Sequence, residues 1–390
     1  MDVQRKGLLT LIRSALTETA LPLPESFDLA KAMAMIRKHG IETLIYDGAV
    51  RCGLDRQQPV MQELFRRYCL LLQQSERQLQ AIDRLYTALD AAGVDYMPLK
   101  GCNMKHLYPK PELRLMGDAD ILVRTEQYDR IRPVVKGLGY EELVDSDHEL
   151  IWHSPELHLE LHKRLIPSYN KDYYAYFGDG WRLARQECGS RFAMTPEDTM
   201  VYQFTHFAKH YRDGGIGLRH AADLWVYLRR RHPEEAPVRR ELERLHLLEF
   251  YDNIRRLLEH WFQDGPADEK TDVIADFLFS SGSWGSHENH VISDGVKKAH
   301  EAGSVTGGRL KRLMTSLFPN RLIMAQKYPV LQKCPVLLPV CWPVRWVTAV
   351  LFRRDNVKRQ RQSLQTMSAQ NIKTYQQAMR FVGLDFHFKE

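Results

Sequence analysis

Asp118 and Asp120 stand two apart in the run Arg114-Leu115-Met116-Gly117-Asp118-Ala119-Asp120-Ile121-Leu122-Val123. On a strand, side chains alternate between faces, so both carboxylates project one way and Ile121 and Val123 the other. Two negative charges this close are costly unless a cation sits between them, and hard divalent ions prefer carboxylate oxygen. The pattern therefore predicts a Mg²⁺ site. A pair of such ions could bind a triphosphate and activate a hydroxyl for in-line attack. Taken alone, an Asp-x-Asp pair is more often solvated surface; its setting is what raises it.

The segment Glu156-Leu157-His158-Leu159-Glu160-Leu161-His162 alternates strictly, with the leucines on one face and residues 156, 158, 160 and 162 on the other. Glu160 could complete the metal site or accept the nucleophile's proton. A transition-metal site made of His158, Glu160 and His162 is the lesser alternative, because about 7 Å between i and i+2 side chains is wide for three ligands from one strand.

Upstream, Pro98-Leu99-Lys100-Gly101-Cys102-Asn103 reads as a strand feeding a helix, which offers backbone N–H groups to phosphate oxygens. Gly101 would permit close approach of the backbone, and Lys100 and Arg114 would neutralise phosphate charge. Further on, His206 and His210 lie four apart on a helix and share a face. They lack the adjacent Glu of the His-Glu-x-x-His pattern. Packing against Asp223 is the preferred reading of that pair; lining a substrate cleft, together with His162 and Asp223, is the other.

Helical period dominates residues 3–92, as in Leu8, Leu9, Ile12 and Leu16, and a long amphipathic stretch over 61–92 ends at Gly93. Extended segments are predicted at 94–99, 118–123, 140–144, 149–153 and 157–161. Helices are predicted at 101–108, from Thr125 to Leu138, and near 196–211, 217–231, 236–247 and 249–263, with Thr195 as an N-cap and Pro196 at N1. Residues 281–308, rich in Gly, Ser and His, read as loop or linker. The pattern predicts an α+β chain with a small mixed-sheet core flanked by helical regions. The boundaries drawn from it are 1–92, 93–190, 191–280 and 281–390.

At 390 residues, with 44% hydrophobic and 27% charged residues, the chain is too large for one ordinary core and too apolar for wholesale disorder. A net charge of +6 neither demands nor excludes an anionic partner. The six cysteines form no CxxC pair, which argues against a zinc ribbon or a disulfide framework. The N-terminus has no uninterrupted apolar run, so no signal peptide is expected and a cytoplasmic location is. Residues 334–352 are strongly apolar but carry three prolines and Arg345. A Pro-kinked packed segment is the preferred reading. The alternative is weak peripheral membrane contact through 334–361, where Arg353, Arg354, Lys358, Arg359 and Arg361 would meet anionic lipid.

Leu99-Lys100-Gly101, Tyr108-Pro109, Arg114, the Asp118–Val123 strand and Leu159-Glu160-Leu161-His162 together resemble a bacterial family of nucleotidyltransferase-like proteins, a divergent branch of the DNA polymerase β-type superfamily. The motifs cluster in residues 94–165. The resemblance implies a small mixed sheet, a Mg²⁺ site on Asp118, Asp120 and Glu160, and a phosphate loop at Lys100-Gly101-Cys102. It also implies a helical His segment and a later Asp, which fall on His206, His210 and Asp223. The wider superfamily has Gly-Ser at the loop, and here a thiol, a poor hydrogen-bond donor, follows the glycine. The expected activity is transfer of an NMP from an NTP such as ATP to a hydroxyl acceptor, releasing pyrophosphate. The alternative is an inactive interaction protein on the same fold, peripheral to a membrane or not. Nucleic acid is a less favoured acceptor, since no aromatic-basic stacking motif is present.

Overall fold

Helical period in the N-terminal region yields α1 (Val3–Thr17), α2 (Leu29–His39), α3 (Glu42–Arg51) and α4 (Pro59–Ala91). The computed structural model describes residues 1–282, 285, 287–301, 314, 317–319, 321, 324, 328, 330–352 and 369–385. Asp2 and Asp28 cap α1 and α2 by accepting from the backbone N–H of Arg5 and Ala30, which satisfies donors that a helix leaves open at its start. α3 lies so close on α1 that a Cβ at Gly48 would stand 2.0 Å from the Leu11 carbonyl oxygen. Only glycine allows that contact.

Seven strands form one mixed sheet: β1 (Tyr96–Pro98), β2 (Asp118–Val123), β3 (Glu141–Asp145), β4 (Glu149–His153), β5 (His158–His162), β6 (Arg185–Cys188) and β7 (Arg191–Ala193), in the order β3-β4-β5-β2-β1-β7-β6. β2 runs parallel to β5 and antiparallel to β1, and β4 runs antiparallel to β5. The β6–β7 hairpin was not anticipated, because its short strands are polar and largely exposed and show no alternation. Ahead of β2, the helix expected over 101–108 divides into α5 (Lys100–Met104) and a 3₁₀ turn (Lys105–Leu107). α6 (Tyr128–Gly137) follows β2, and α7 (Lys171–Phe177) follows β5.

One face of the sheet makes the core. Ala119, Ile121 and Val123 of β2, Leu150 and Trp152 of β4, and Leu159 and Leu161 of β5 cluster with Ala81, Leu85 and Leu89 of α4 and Ile131 and Val135 of α6. Each such aliphatic side chain, fully buried, stabilises the fold by roughly 1.5–3 kcal/mol. The opposite face is left to the polar residues of the same strands.

Five helices continue the chain: α8 (Pro196–Asp213), α9 (Leu218–Arg231), α10 (Glu235–Arg244), α11 (Leu248–Gln263) and α12 (Glu269–Ser281). Thr195 caps α8, its hydroxyl accepting from the Asp198 N–H and donating to the Asp198 carboxylate. The chain divides into two compact units, Met1–Lys209 with Ile216–Ser283 and Val382–Glu390, and His210–Gly215 with Trp284–Phe381. The first unit holds the whole sheet.

In the second unit, residues read from their composition as loop form a helix, α13 (His287–Glu301). It also contains α14 (Val330–Lys333), α15 (Leu338–Phe352) and α16 (Ala369–Phe381). Glycine and serine content misled there, because apolar residues still recur at helical spacing in Val291, Ile292 and Val296, all buried. α15 carries Pro343 within it. Its Trp342 and Trp346 donate to the carbonyls of Pro319 and Leu317, while Val336, Val340, Val344 and Val347 are exposed. The basic residues 353–361 lie outside the described residues. Among the described residues, no helix is long and apolar enough to cross a membrane.

Candidate active site

The register of β2 on β5 decides what the polar face contains. Asp118 is level with His158, Asp120 with Glu160 and Leu122 with His162. On the far side of β5, Glu149 of β4 is level with His162 and Ile151 with Glu160. Period-two alternation therefore gathers Asp118, Asp120, Glu149, Glu160 and His162 on one face, opposite the leucine core.

Asp120, 3% exposed, is the centre of this group. Its Oδ1 accepts from the Lys100 ammonium at 2.6 Å and from His162 Nε2 at 2.8 Å. Burial works against the charge on Asp120, but Lys100 and His162 outweigh it and hold the carboxyl well below the usual range. Burial likewise opposes the Lys100 charge, and Asp120 more than restores it. Lys100 sits at φ +37°, a left-handed conformation that costs a non-glycine residue roughly 1 kcal/mol or more. Its ion pair with Asp120 holds it there.

The other carboxyls are less well served. Asp118 is pushed up by burial and then by Asp120. Glu160 rises to about 8, through burial first and then the charges of Asp120, Asp118 and Glu149. Above them the Tyr202 hydroxyl of α8, 1% exposed, lies in the field of Lys100, Asp120 and Glu160 and has no hydrogen-bond partner among the described residues. Asp118, Asp120 and Glu160 and an unsatisfied hydroxyl around one ammonium form a hard oxygen donor set that a divalent cation would relieve.

The structure brings Lys100 to the carboxylates but places Arg114, Gly101 and Cys102 differently from the sequence expectation. Arg114 Nη2 pairs with Asp223 Oδ2 at 3.0 Å, its Nε reaches Asp223 Oδ1 at 3.3 Å, and the Tyr108 hydroxyl donates to Oδ1 at 2.8 Å. All three side chains are buried. A Cβ at Gly101 would meet Arg114 Nη1 at 2.6 Å and Met116 Sδ at 2.9 Å, so the glycine makes room for this pair. Cys102 belongs to the core cluster; its thiol lies beside the Tyr86 hydroxyl and is pushed up to about 12 by burial. α5 is only five residues long and presents little helix dipole.

His206 tilts against Tyr202, ring centroids 6.3 Å apart, whereas His210 falls in the second unit. The Asp223 carboxylate is committed to Arg114 and Tyr108. His158 stands at the margin, its Nε2 4.0 Å from Glu160 Oε1.

Four residues escaped the sequence reading: Tyr202, Arg219, His148 and Glu149. Arg219 packs beside Arg114 and donates to the Leu115 carbonyl at 3.0 Å, and its Nε has no partner among the described residues. Burial and the Arg114 charge lower its pKa. Two groups of side chains among the described residues have ligand atoms close enough for one metal ion, within 4.8 Å of one another. One is Asp120, Glu160 and His162, and the other is His148, Glu149 and His162. Pairing the 149–153 and 157–161 segments as a hairpin would have put Glu149 next to His162; nothing in the sequence marks Tyr202.

A family model described as "Uncharacterised nucleotidyltransferase" matches residues 25–263. Among solved structures, the solution structure of the antibiotic-resistance factor ANT(2'')-Ia shares 12% identity with a TM-score of 0.34, over 48% of this chain and 99% of that one. No curated protein matches the sequence.

Proposed function

The chain belongs to this uncharacterised nucleotidyltransferase family, and from that premise we propose that it moves a nucleoside monophosphate from an NTP to a hydroxyl acceptor. The observation that carries the reading is the convergence of Asp118, Asp120 and Glu160 on one face across the β2–β5 pair, with the Lys100 ammonium among them. An acceptor oxygen attacks the α-phosphorus, the bond to the β-phosphate oxygen breaks, and pyrophosphate leaves. Mg²⁺, as two ions held by Asp118, Asp120 and Glu160, would supply charge neutralisation of the triphosphate and of the attacking oxygen.

The chain's own residues have separable parts. His162 holds Asp120 in place through its Nε2. Lys100 covers the Asp120 charge in the free chain and is the cation nearest to an incoming phosphate. Glu160, kept protonated near neutral pH by burial and then by its acidic neighbours, becomes a base once positive charge enters the site, since an opposite charge lowers a carboxyl pKa. Arg219 offers a guanidinium edge to which no carboxylate among the described residues is bonded.

Isothermal titration with each of the four NTPs tests this, with and without Mg²⁺, on wild type and on Asp118→Ala/Asp120→Ala. Magnesium-dependent binding that disappears in the double variant is expected, and the tightest NTP names the base. Silence with all four would leave the inactive interaction protein as the better reading.

A further inference from the structure

His148, Glu149 and His162 lie outside the carboxylate chemistry just described, apart from the hold of His162 on Asp120. His148 Nε2 is 3.3 Å from His162 Nδ1, and Glu149 Oε2 is 3.7 Å from each of those nitrogens. Three donors on a tetrahedral ion with bonds of about 2.1 Å stand about 3.4 Å apart. An octahedral ion with similar bonds would draw them to about 3.0 Å. The triangle matches the tetrahedral edge.

The second ring nitrogen of His162 supports the same assignment. Nε2 faces Asp120 Oδ1 at 2.8 Å, which places the ring proton on Nε2 and leaves the lone pair of Nδ1 directed at His148 and Glu149. A metal-bound histidine almost always donates its other N–H to a carboxylate in this way. Backbone contacts fix the remaining ligands. The Ser146 hydroxyl accepts from the N–H of both His148 and Glu149, and the His148 carbonyl accepts from Lys163 N–H just past β5. His162 is buried, whereas His148 and Glu149 are partly exposed, so a fourth position stays open to solvent.

We propose that His148, Glu149 and His162 bind Zn²⁺, or a divalent ion of the same borderline class, at a site beside the Mg²⁺ carboxylates. The ion would lock the His162 ring and, through Nε2–H, the position of Asp120. Two nitrogens and one oxygen favour such an ion over Mg²⁺, which seeks six oxygens. The proposal stands apart from nucleotidyl transfer, because its readout needs no nucleotide.

The experiment titrates Zn²⁺ into the metal-free full chain against a chromophoric chelator, with excess Mg²⁺ present, and repeats the titration with Co²⁺ followed by visible absorption. One equivalent is expected to bind, with the intense bands of tetrahedral Co²⁺. His148→Ala and Glu149→Gln should each weaken Zn²⁺ at least tenfold while keeping the wild-type circular dichroism, and Glu160→Gln should leave the affinity within threefold. Loss in Glu160→Gln with retention in both other variants would place the ion among the carboxylates and overturn the proposal. So would the weak bands of octahedral Co²⁺, or no stoichiometric Zn²⁺ at all. The two variants stand in for each other should either misfold.

Discussion

Asp223→Asn is the most searching test of how this fold carries buried charge. Asp223 and Arg114 are 6% and 7% exposed, and the shorter of their two contacts is 3.0 Å. Arg114 cannot shed its proton, and Arg219 adds a second guanidinium alongside. At an effective dielectric near 20, a pair at this distance attracts by roughly 5 kcal/mol. Removing one partner of such a pair typically costs about 3–5 kcal/mol. Asparagine can still accept from Tyr108 and from one Arg114 nitrogen, which argues for the low end, about 3 kcal/mol. With a urea m-value of about 3 kcal/mol/M for a unit this large, the midpoint should fall by about 1 M with m unchanged. Arg114→Met/Asp223→Leu should lose less, because Arg114 is then not stranded and only Arg219 loses a nearby countercharge. A midpoint within 0.3 M of wild type for Asp223→Asn would refute the argument and show that the pair is not what neutralises Arg114.

Two further outcomes follow from the same structure. His39 is fully buried, its Nδ1 accepting from Leu218 N–H at 3.2 Å and its Nε2 donating to the Phe279 carbonyl at 3.2 Å, and burial lowers its pKa to about 4. Between that value and about 6.5 the unfolded chain binds a proton that the folded chain does not, so this stability is complete above pH 6.5 and is lost as pH falls; the wild type should lose about 2 kcal/mol between pH 7.5 and 5.0. Denaturant curves at both pH values should show a shallower loss in His39→Gln, and equal slopes would contradict the assignment. Gly101→Ala drives a Cβ to 2.6 Å from Nη1 of Arg114, whose guanidinium Asp223 holds through Nε and Nη2, and to 2.9 Å from Met116 Sδ, so overpacking should cost about 1–3 kcal/mol, read as a lower thermal midpoint. In an Arg114→Met background Gly101→Ala should cost much less than it does in wild type, and an undiminished cost would place the clash on Met116 instead.

Alternation made the central strands readable. Asp118–Val123, apart from Leu122, and His158–His162 carry their apolar residues at every second position, and the expected ranges match β2 and β5 to within a residue. Long helices were readable for the corresponding reason at their own period, as in α4 and α11. Exposed polar β6 and β7 gave no such signal. The site was less legible, since its missing parts depend on contacts between distant residues. Arg114 looks like a phosphate ligand until Asp223, 109 residues away, is found against it. Cys102 looks like an altered phosphate contact until α4 supplies the Tyr86 hydroxyl beside it. Tyr202 comes from a helix whose pattern says only that this face is buried.

The parallel pairing of β2 with β5 also bears on how faults in the chain would show themselves. Because the carboxylates and the core occupy alternate positions on the same two strands, sliding one strand by a single residue would turn Ile121 outward and bury Asp120 among leucines. No misaligned version of this sheet could be stable and merely inactive. A single-residue insertion or deletion within 118–123 or 158–162 should therefore abolish soluble protein, whereas a change of length in the turn at 146–148 should leave β2 and β5 in register. Ligand binding by this chain consequently reports correct strand alignment as well as an intact site.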